Sequence, residues 1–466
     1  MAKSSTHQSN SSKRMRVELS PNRYTAAVDR LSNLPDSLLC HILSFLPTQK
    51  AVATSALSSR WKRLWTHVPA LDLYDIGGQP IPLLYRILLL NKAPYLRNFN
   101  LLWYYYCDSL HLNTWIDTAI ERNVENLYLE IFLDDDYYPH GDGDVYSGEL
   151  YELPVSFYAC KTVVVLHLSG GIELDPPPSF QLPCLKKLCL LDVFYCYEDS
   201  LSRLFNGCPV LEDLKVIRNN SDGMDYFNIS VPTLKCLLIE FNTYQPRVPD
   251  YKLEINAPGL KNFKFRGDLR NVVFVEKLAN LVEANVKIYA VECYEMRWVE
   301  DYEFYYGDRV FKLLRALNNA KFLTLSPGDI ECLGFGSIYP TRFQNLVRLK
   351  FGVNKSNWHV LQALILVAPN LEVLDVHKCY HISEDKLCWT ELPDGPGYLS
   401  SCLSTFNFDG YKGLEHEVEF VKYILQEARG LQTMTIKVSR RQSRERVLEK
   451  LSMFPRHSKT CLITVE

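Results

Sequence analysis

A chain of 466 residues with 47% hydrophobic and 23% charged residues has the apolar content for two or three packed cores. Its net charge of −3 supplies no global field for nucleic acid or a membrane surface. The longest apolar run, Ile81 to Leu90, is interrupted by Pro82 and Arg86 and falls short of the roughly 20 residues that a bilayer span requires.

Residues 1–29 are rich in Ser, Lys, Arg and Asn, show no periodicity and lack an apolar signal core, so they read as a disordered tail. The expected compartment is intracellular, nucleus and/or cytoplasm. Residues 34–65 are different. Pro35 suits a first helical position and Asp36 complements the positive end of the helix dipole. Leu38, Leu39, Ile42, Leu43 and Leu46 then recur at three- and four-residue spacing, predicting a helix with one apolar face that Pro47 ends. Thr48 is placed to cap a second short helix carrying Ala51, Val52 and Ala53. Ser58 or Ser59 is placed to cap a third carrying Trp61, Leu64 and Trp65. So small a unit cannot enclose all these side chains, and something else must cover them.

After Trp65 the pattern apolar-x-x-apolar-x-apolar repeats to the end. It starts with Val68-Leu71-Leu73, Leu96-Phe99-Leu101, Val124-Leu127-Leu129 and Val163-Leu166-Leu168. It runs on through Leu185-Leu188-Leu190, Leu211-Leu214-Val216, Leu234-Leu237-Ile239, Leu260-Phe263-Phe265 and the weaker Leu281-Ala284-Val286. It closes with Ala320-Leu323-Leu325, Leu346-Leu349-Phe351, Leu371-Leu374-Val376, Leu403-Phe406-Phe408 and Leu431-Met434-Ile436. Most steps are 21 to 28 residues, with insertions at 129–163 and 286–320. That period and wording are those of leucine-rich repeats. The last two apolar positions of each copy point to one side of a short strand, into the core, and the residue between them points outward. Helical stretches such as Leu112-Trp115-Ile116-Ala119-Ile120 and Leu201-Leu204-Phe205 supply the second layer. A doubly wound sheet would need longer helices and a glycine-rich nucleotide turn, and neither is evident. In the last 70 or so residues, strands at Leu403 to Phe408 and Leu431 to Val438 flank a helix with Val418, Val421, Ile424, Leu425 and Ala428 on one face. A last helix through Val447, Leu448 and Leu451 leads to a closing strand.

Leu34-Pro35-Asp36, Ile42-Leu43, Phe45-Leu46-Pro47 and Ser58-x-Arg60-Trp61-x-x-Leu64-Trp65 together resemble an F-box, the helical module that docks on a Skp-type adaptor in cullin-based ubiquitin ligases. The bland alternative is a helical hairpin that caps its own domain. Leu112-Asn113-x-Trp115-Ile116-Asp117, Cys160 to Leu168 and Gly207 to Leu214 resemble the irregular plant-type repeats that accompany F-boxes. Residues 395–466, ending in Phe454-Pro455-Arg456-x-Ser458-x-x-Cys461, resemble an FBD domain. The resemblance implies an α/β chain: a disordered tail at 1–29, a three-helix F-box at 30–75, a leucine-rich-repeat solenoid, or horseshoe, at 76–394, and an α+β FBD cap at 395–466 over the open end of the stack.

By the same resemblance, adaptor contacts centre on Leu34, Pro35, Leu38, Ile42, Leu43, Leu46, Pro47, Val52, Leu57, Trp61 and Leu64, with Trp65 partly structural. The implied role is a non-catalytic receptor that joins cullin through the adaptor and holds an unknown protein target on its repeats. A ligase-independent scaffold and a small-molecule sensor are the alternatives. Outward positions Lys264, Arg266, Asn285, Lys287, Arg348 and Lys350 form a partly basic strip that would favour an acidic or phosphorylated target segment. No cofactor, metal or catalytic residue is expected. The acidic loop Asp134-Asp135-Asp136 with Asp142 and Asp144 places Val145 where an EF-hand needs Glu, and Gly334-x-Gly336 lacks a phosphate-loop lysine. His416-Glu417 lacks the second zinc-binding histidine and is read as the wet side of its helix. Arg440, Arg441, Arg444 and Arg446 read as solvated surface rather than a nucleic-acid contact, and Tyr294, Tyr302, Phe304, Tyr305 and Tyr306 as packing or a recognition patch. Fourteen scattered cysteines, none three residues from another, read as small buried hydrophobes kept reduced.

Overall fold

The computed structural model describes residues 31, 33–74, 81–104, 107–132, 149–218, 224–241, 252–267, 269, 272–275, 277–288, 302–327, 341–354, 357–378, 402–438 and 442–466. The acidic loop, the Gly334 turn, Cys379, Arg440, Arg441 and Tyr294 lie outside them, as do the side chains of Tyr302, Phe304, Tyr305 and Tyr306.

The chain opens with α1 (Asp36–Leu43), α2 (Thr48–Ala53) and α3 (Trp61–Leu64). The two prolines act just outside the helices: Pro35 and Pro47, both with extended ψ, immediately precede α1 and α2. Thr48 is therefore the first residue of α2 and not its cap. Its side chain has another task, because it is buried and its Oγ1 accepts the backbone N–H of Asp72 at 2.8 Å. The third helix follows the expectation more closely, with Ser58 Oγ accepting the Trp61 N–H at 3.4 Å.

The repeat triplets build one parallel sheet of 15 strands. In order these are β1 (Ala70–Leu73), β2 (Asn98–Trp103), β3 (Asn126–Ile131), β4 (Val165–Gly170) and β5 (Lys187–Leu191). Next come β6 (Asp213–Arg218), β7 (Cys236–Phe241), β8 (Asn262–Gly267), β9 (Glu283–Ile288) and β10 (Phe322–Pro327). The last are β11 (Arg348–Val353), β12 (Val373–Lys378), β13 (Thr405–Tyr411), β14 (Thr433–Val438) and β15 (Leu462–Val465). Every triplet named above is buried at all three positions, including the weak copy Leu281-Ala284-Val286. Alternation puts those side chains on the core face and one row outward, in unbroken register: Asp72, Asn100, Tyr128, His167, Cys189, Lys215, Leu238 and Lys264. The row continues through Asn285, Thr324, Lys350, Asp375, Asn407, Thr435 and Thr464.

Helices α4 (Ile81–Leu90), α5 (Ser109–Glu121), α6 (Ser200–Asn206), α7 (Tyr302–Ala316), α8 (Trp358–Val367), α9 (Glu415–Glu427) and α10 (Arg444–Ser452) lie between strands in sequence. Helix α5 is capped by Asp108, which accepts the Leu110 N–H at 2.9 Å, and buries Leu112, Trp115, Ile116 and Ala119. Helices do not supply the whole second layer. Tyr226–Ser230, Lys252–Asn256 and Val272–Phe274 form a small parallel sheet, and Tyr151–Glu152, Ile172–Leu174 and Phe194–Tyr195 form another. Alternating stretches such as Lys252-Leu253-Glu254-Ile255 carry strand periodicity, with Leu253 and Ile255 buried.

The C-terminal unit departs from the expected cap. Strands β13, β14 and β15 continue the same parallel ladder, so residues from 402 onward extend the sheet instead of lying across its end. His416-Glu417 also departs from expectation. Glu417 is fully buried and accepts from Lys378 Nζ at 2.6 Å, Lys412 N–H at 2.8 Å and Leu414 N–H at 3.1 Å. His416 packs edge-on against Trp358, and burial lowers its pKa. The carboxylate thus ties the start of α9 to the end of β12. Among the described cysteines, Cys107, Cys160, Cys208 and Cys461 are buried as expected, with burial lifting the Cys208 thiol to about 12. Cys184 and Cys402 are exposed, against expectation.

Candidate functional site

The helices of residues 34–65 have two apolar faces with different fates. Leu39, Leu43, Ala51, Trp61, Leu64 and Trp65 belong to the same buried cluster as the repeat core. Leu34 and Val52 pack against that cluster while partly exposed. Pro35 is exposed and Pro47 half-buried. The opposite face leaves Leu38 48%, Ile42 40%, Phe45 74%, Leu46 39% and Leu57 66% exposed. The twelve residues expected to meet an adaptor are therefore split: Leu43, Trp61, Leu64 and Trp65 face the chain's own core, and Leu38, Ile42, Leu46 and Leu57 face solvent. Large apolar side chains gathered on a surface mark an interaction site. Phe45, the most exposed of them, is absent from the adaptor contacts that the resemblance implies, though it stands beside Leu46 in the motif.

Polar contacts lock this unit in place. Arg60 donates to Asp36 Oδ1 from Nε at 2.8 Å and also to the Leu34 carbonyl, clamping the entry to α1 against the start of α3. Cys40 Sγ reaches the Leu64 carbonyl at 3.5 Å, and burial raises its thiol pKa. Behind β1, buried Asn91 donates to the Val68 carbonyl, and the Arg122 guanidinium donates to Asn91 and to the Leu88 carbonyl. A groove beside this junction is lined by His41, Arg60, Arg63, His67 and Arg97, with Asp36 as its carboxylate.

The second candidate surface is the outward face of the sheet. Lys264, Arg266, Lys287, Arg348 and Lys350 are all exposed there, but their charge is partly answered. Arg266 pairs with Glu240 at 2.9 Å and Arg348 with Asp375 at 2.7 Å. Nearer β1, Tyr128 stacks on His167 with ring centroids 5.7 Å apart, and the Tyr74 hydroxyl donates to Glu130 Oε2 at 3.2 Å. Burial raises the Glu130 pKa and lowers that of His167, the latter with help from Lys215. Among the described residues, no group of three or more His, Cys, Asp or Glu side chains is placed to hold a metal. No described helix is long and apolar enough to cross a membrane.

Three family models match the chain: the F-box domain over residues 31–71, the LRR repeats of FBD-associated F-box protein At5g56370 over residues 112–270, and FBD over residues 394–436. The F-box/FBD/LRR-repeat protein At2g04230 of Arabidopsis thaliana is 32% identical over 435 residues, covering 88% of this chain and 89% of the relative. The putative F-box/FBD/LRR-repeat protein At4g26350 of Arabidopsis thaliana is 30% identical over 465 residues, covering 93% of this chain and 98% of the relative.

Proposed function

The chain belongs to the plant F-box/FBD/LRR-repeat family, and from that premise we propose that it is the substrate-recognition subunit of a Skp–cullin–F-box ubiquitin ligase. F-box domains in general bind a Skp-type adaptor, which connects to cullin. In this reading residues 30–75 are the F-box, 76–394 a horseshoe of repeats that holds a protein target, and 395–466 the FBD unit. The chain is a receptor and not an enzyme: its contribution to rate is the high effective concentration of a tethered target lysine.

The observation that carries the reading is the exposed apolar face of Leu38, Ile42, Phe45, Leu46 and Leu57 on a unit whose other face is fused to the repeat core. A surface fixed from behind and apolar in front is built to receive another chain. Pro35, Leu34, Pro47 and Val52 frame it, whereas Leu43, Trp61, Leu64 and Trp65 act by holding it in shape. On the repeats, Lys264, Lys287 and Lys350 with Arg266 and Arg348 would meet acidic or phosphorylated groups of the target.

Co-purification with a Skp-type adaptor and cullin, read by mass spectrometry, tests the proposal. Proteins that accumulate on the receptor when the proteasome is blocked would be its targets. Ile42→Glu with Phe45→Glu is expected to abolish adaptor capture while the melting temperature holds. Capture at wild-type level by that variant would overturn the proposal.

A further inference from the structure

The outward face near β1 carries a cluster that the basic strip does not explain. Tyr74, just after β1, reaches across β2 so that its hydroxyl meets Glu130 Oε2 on β3 at 3.2 Å. Leu102, in register with Glu130 on the strand between, is buried. Tyr104, just after β2, stacks on Phe132 with rings 14° from parallel and 5.2 Å between centroids. Tyr128, two residues before Glu130, stacks on His167. Tyr74 and Tyr128 keep 46% and 37% of their surface exposed, while the Glu130 side chain keeps 22%. A carboxylate is thus recessed among three tyrosines, of which Tyr74 and Tyr128 are exposed and Tyr104 is half-buried against Phe132.

The carboxylate is under-satisfied. Its nearest basic group, His167 Nε2, stands 3.6 Å from Oε1, outside hydrogen-bonding distance, and that nitrogen is buried without a hydrogen-bond partner. Among the described residues Glu130 forms no ion pair with a lysine or arginine. Lys215, the first lysine along the outward row, lies three strands beyond β3, about 14 Å along the ladder. Asp72, two strands the other way, adds negative charge to this end. A desolvated carboxylate attracts a cation more strongly than a solvated one, and ring faces add a cation–π contribution.

We propose that Tyr74, Tyr104, Tyr128 and Glu130 form a recognition pocket for a cationic side chain, lysine or arginine, of the bound target protein. The pocket rests on the receptor reading and adds the chemistry of one target residue to it. A guanidinium would bridge the Glu130 oxygens and lie on a tyrosine ring, and an ammonium would use the same carboxylate as a point charge.

The test uses the full chain, titrated with acetyl-Gly-Gly-X-Gly-Gly-amide peptides in which X is arginine, lysine, glutamine or glutamate. Tyrosine fluorescence and calorimetry read binding. Saturable binding of the arginine and lysine peptides is expected, with the glutamine and glutamate peptides at least tenfold weaker. Glu130→Gln, which keeps shape and removes charge, should weaken the cationic peptides at least tenfold, and Tyr128→Ala several-fold. Glu449→Gln, on the exposed surface of α10 far from this cluster, should change nothing. Absence of saturable binding by both cationic peptides, equal binding of the glutamine peptide, or an unaffected Glu130→Gln variant would each overturn the pocket. Adaptor capture in the same preparation reports separately on the receptor reading, so the two can fail independently.

Discussion

Phe45 and Trp61 are both large aromatics of one short module, yet they should fail in different assays when truncated. Phe45 is 74% exposed, and full burial of a Phe side chain removes about 200 Å² from water, so a partner could cover about 150 Å² of it. At about 25 cal/mol per Å² that is worth at most about 4 kcal/mol, and the costs of association bring the expected loss for Phe45→Ala to about 2 kcal/mol, roughly 30-fold in Kd. Its melting temperature should stay at the wild-type value, because little is buried there in the free chain. Trp61 is 4% exposed and lies in the core cluster, so Trp61→Ala should cost about 3–5 kcal/mol of folding stability. Calorimetric titration with the adaptor, paired with thermal melts of each variant, separates the two. A Phe45→Ala variant that binds like wild type, or a Trp61→Ala variant that melts like wild type, would refute the two-faced description of this unit.

Thr48→Val removes the acceptor for the Asp72 N–H while preserving shape, and should destabilise the chain by about 1–3 kcal/mol, with faster hydrogen exchange at Asp72. Glu417→Ala leaves Lys378 and two backbone N–H groups without their acceptor, a loss of about 3 kcal/mol that chemical denaturation would measure. Acidification should also weaken the fold. Burial lowers the pKa of His167, His377 and His416 below the model-peptide value of 6.5, so the unfolded chain takes up protons first as pH falls. Stability is therefore full above about pH 6.5 and falls below it, towards the folded-state pKa values of these residues. Melts from pH 7.5 to 5.5 should show that decline, and replacing all three by Gln should flatten it.

The sheet was legible from spacing alone, because a strand with two inward apolar residues two apart reads the same in sequence and in space. Even Ala284, a small residue at a position usually filled by leucine, is buried between Leu281 and Val286. The small second-layer sheets were missed because short segments such as Tyr151–Glu152 and Phe194–Tyr195 carry too few residues to show a period. Which face of α1 meets the core and which meets solvent was not legible, since Leu38 and Leu39 are adjacent and chemically identical, and only the packing of α3 and the Trp65–His67 turn against α1 separates their fates. Glu417 misled for a related reason. A charged residue near a helix start is ordinarily solvated, and its three donors come from β12 and the turn before α9, elements that local periodicity does not connect.

The buried cluster runs without a break from Leu39 in α1 to Cys461 beside β15. Mechanically, that makes the molecule a graduated ruler with its zero mark on the exposed leucines. Each strand is one division of about 4.8 Å, so a ligand gripped over β3 stands about 10 Å along the ladder from β1, and one gripped over β11 about 48 Å. No hinge of loose chain between the helices and β1 would absorb that difference, since Thr48 is bonded directly to the first strand. If the chain is the receptor proposed above, whichever division held the target would set how far its lysines stand from the adaptor-docking face, and moving the grip by a few strands would change which lysine is presented.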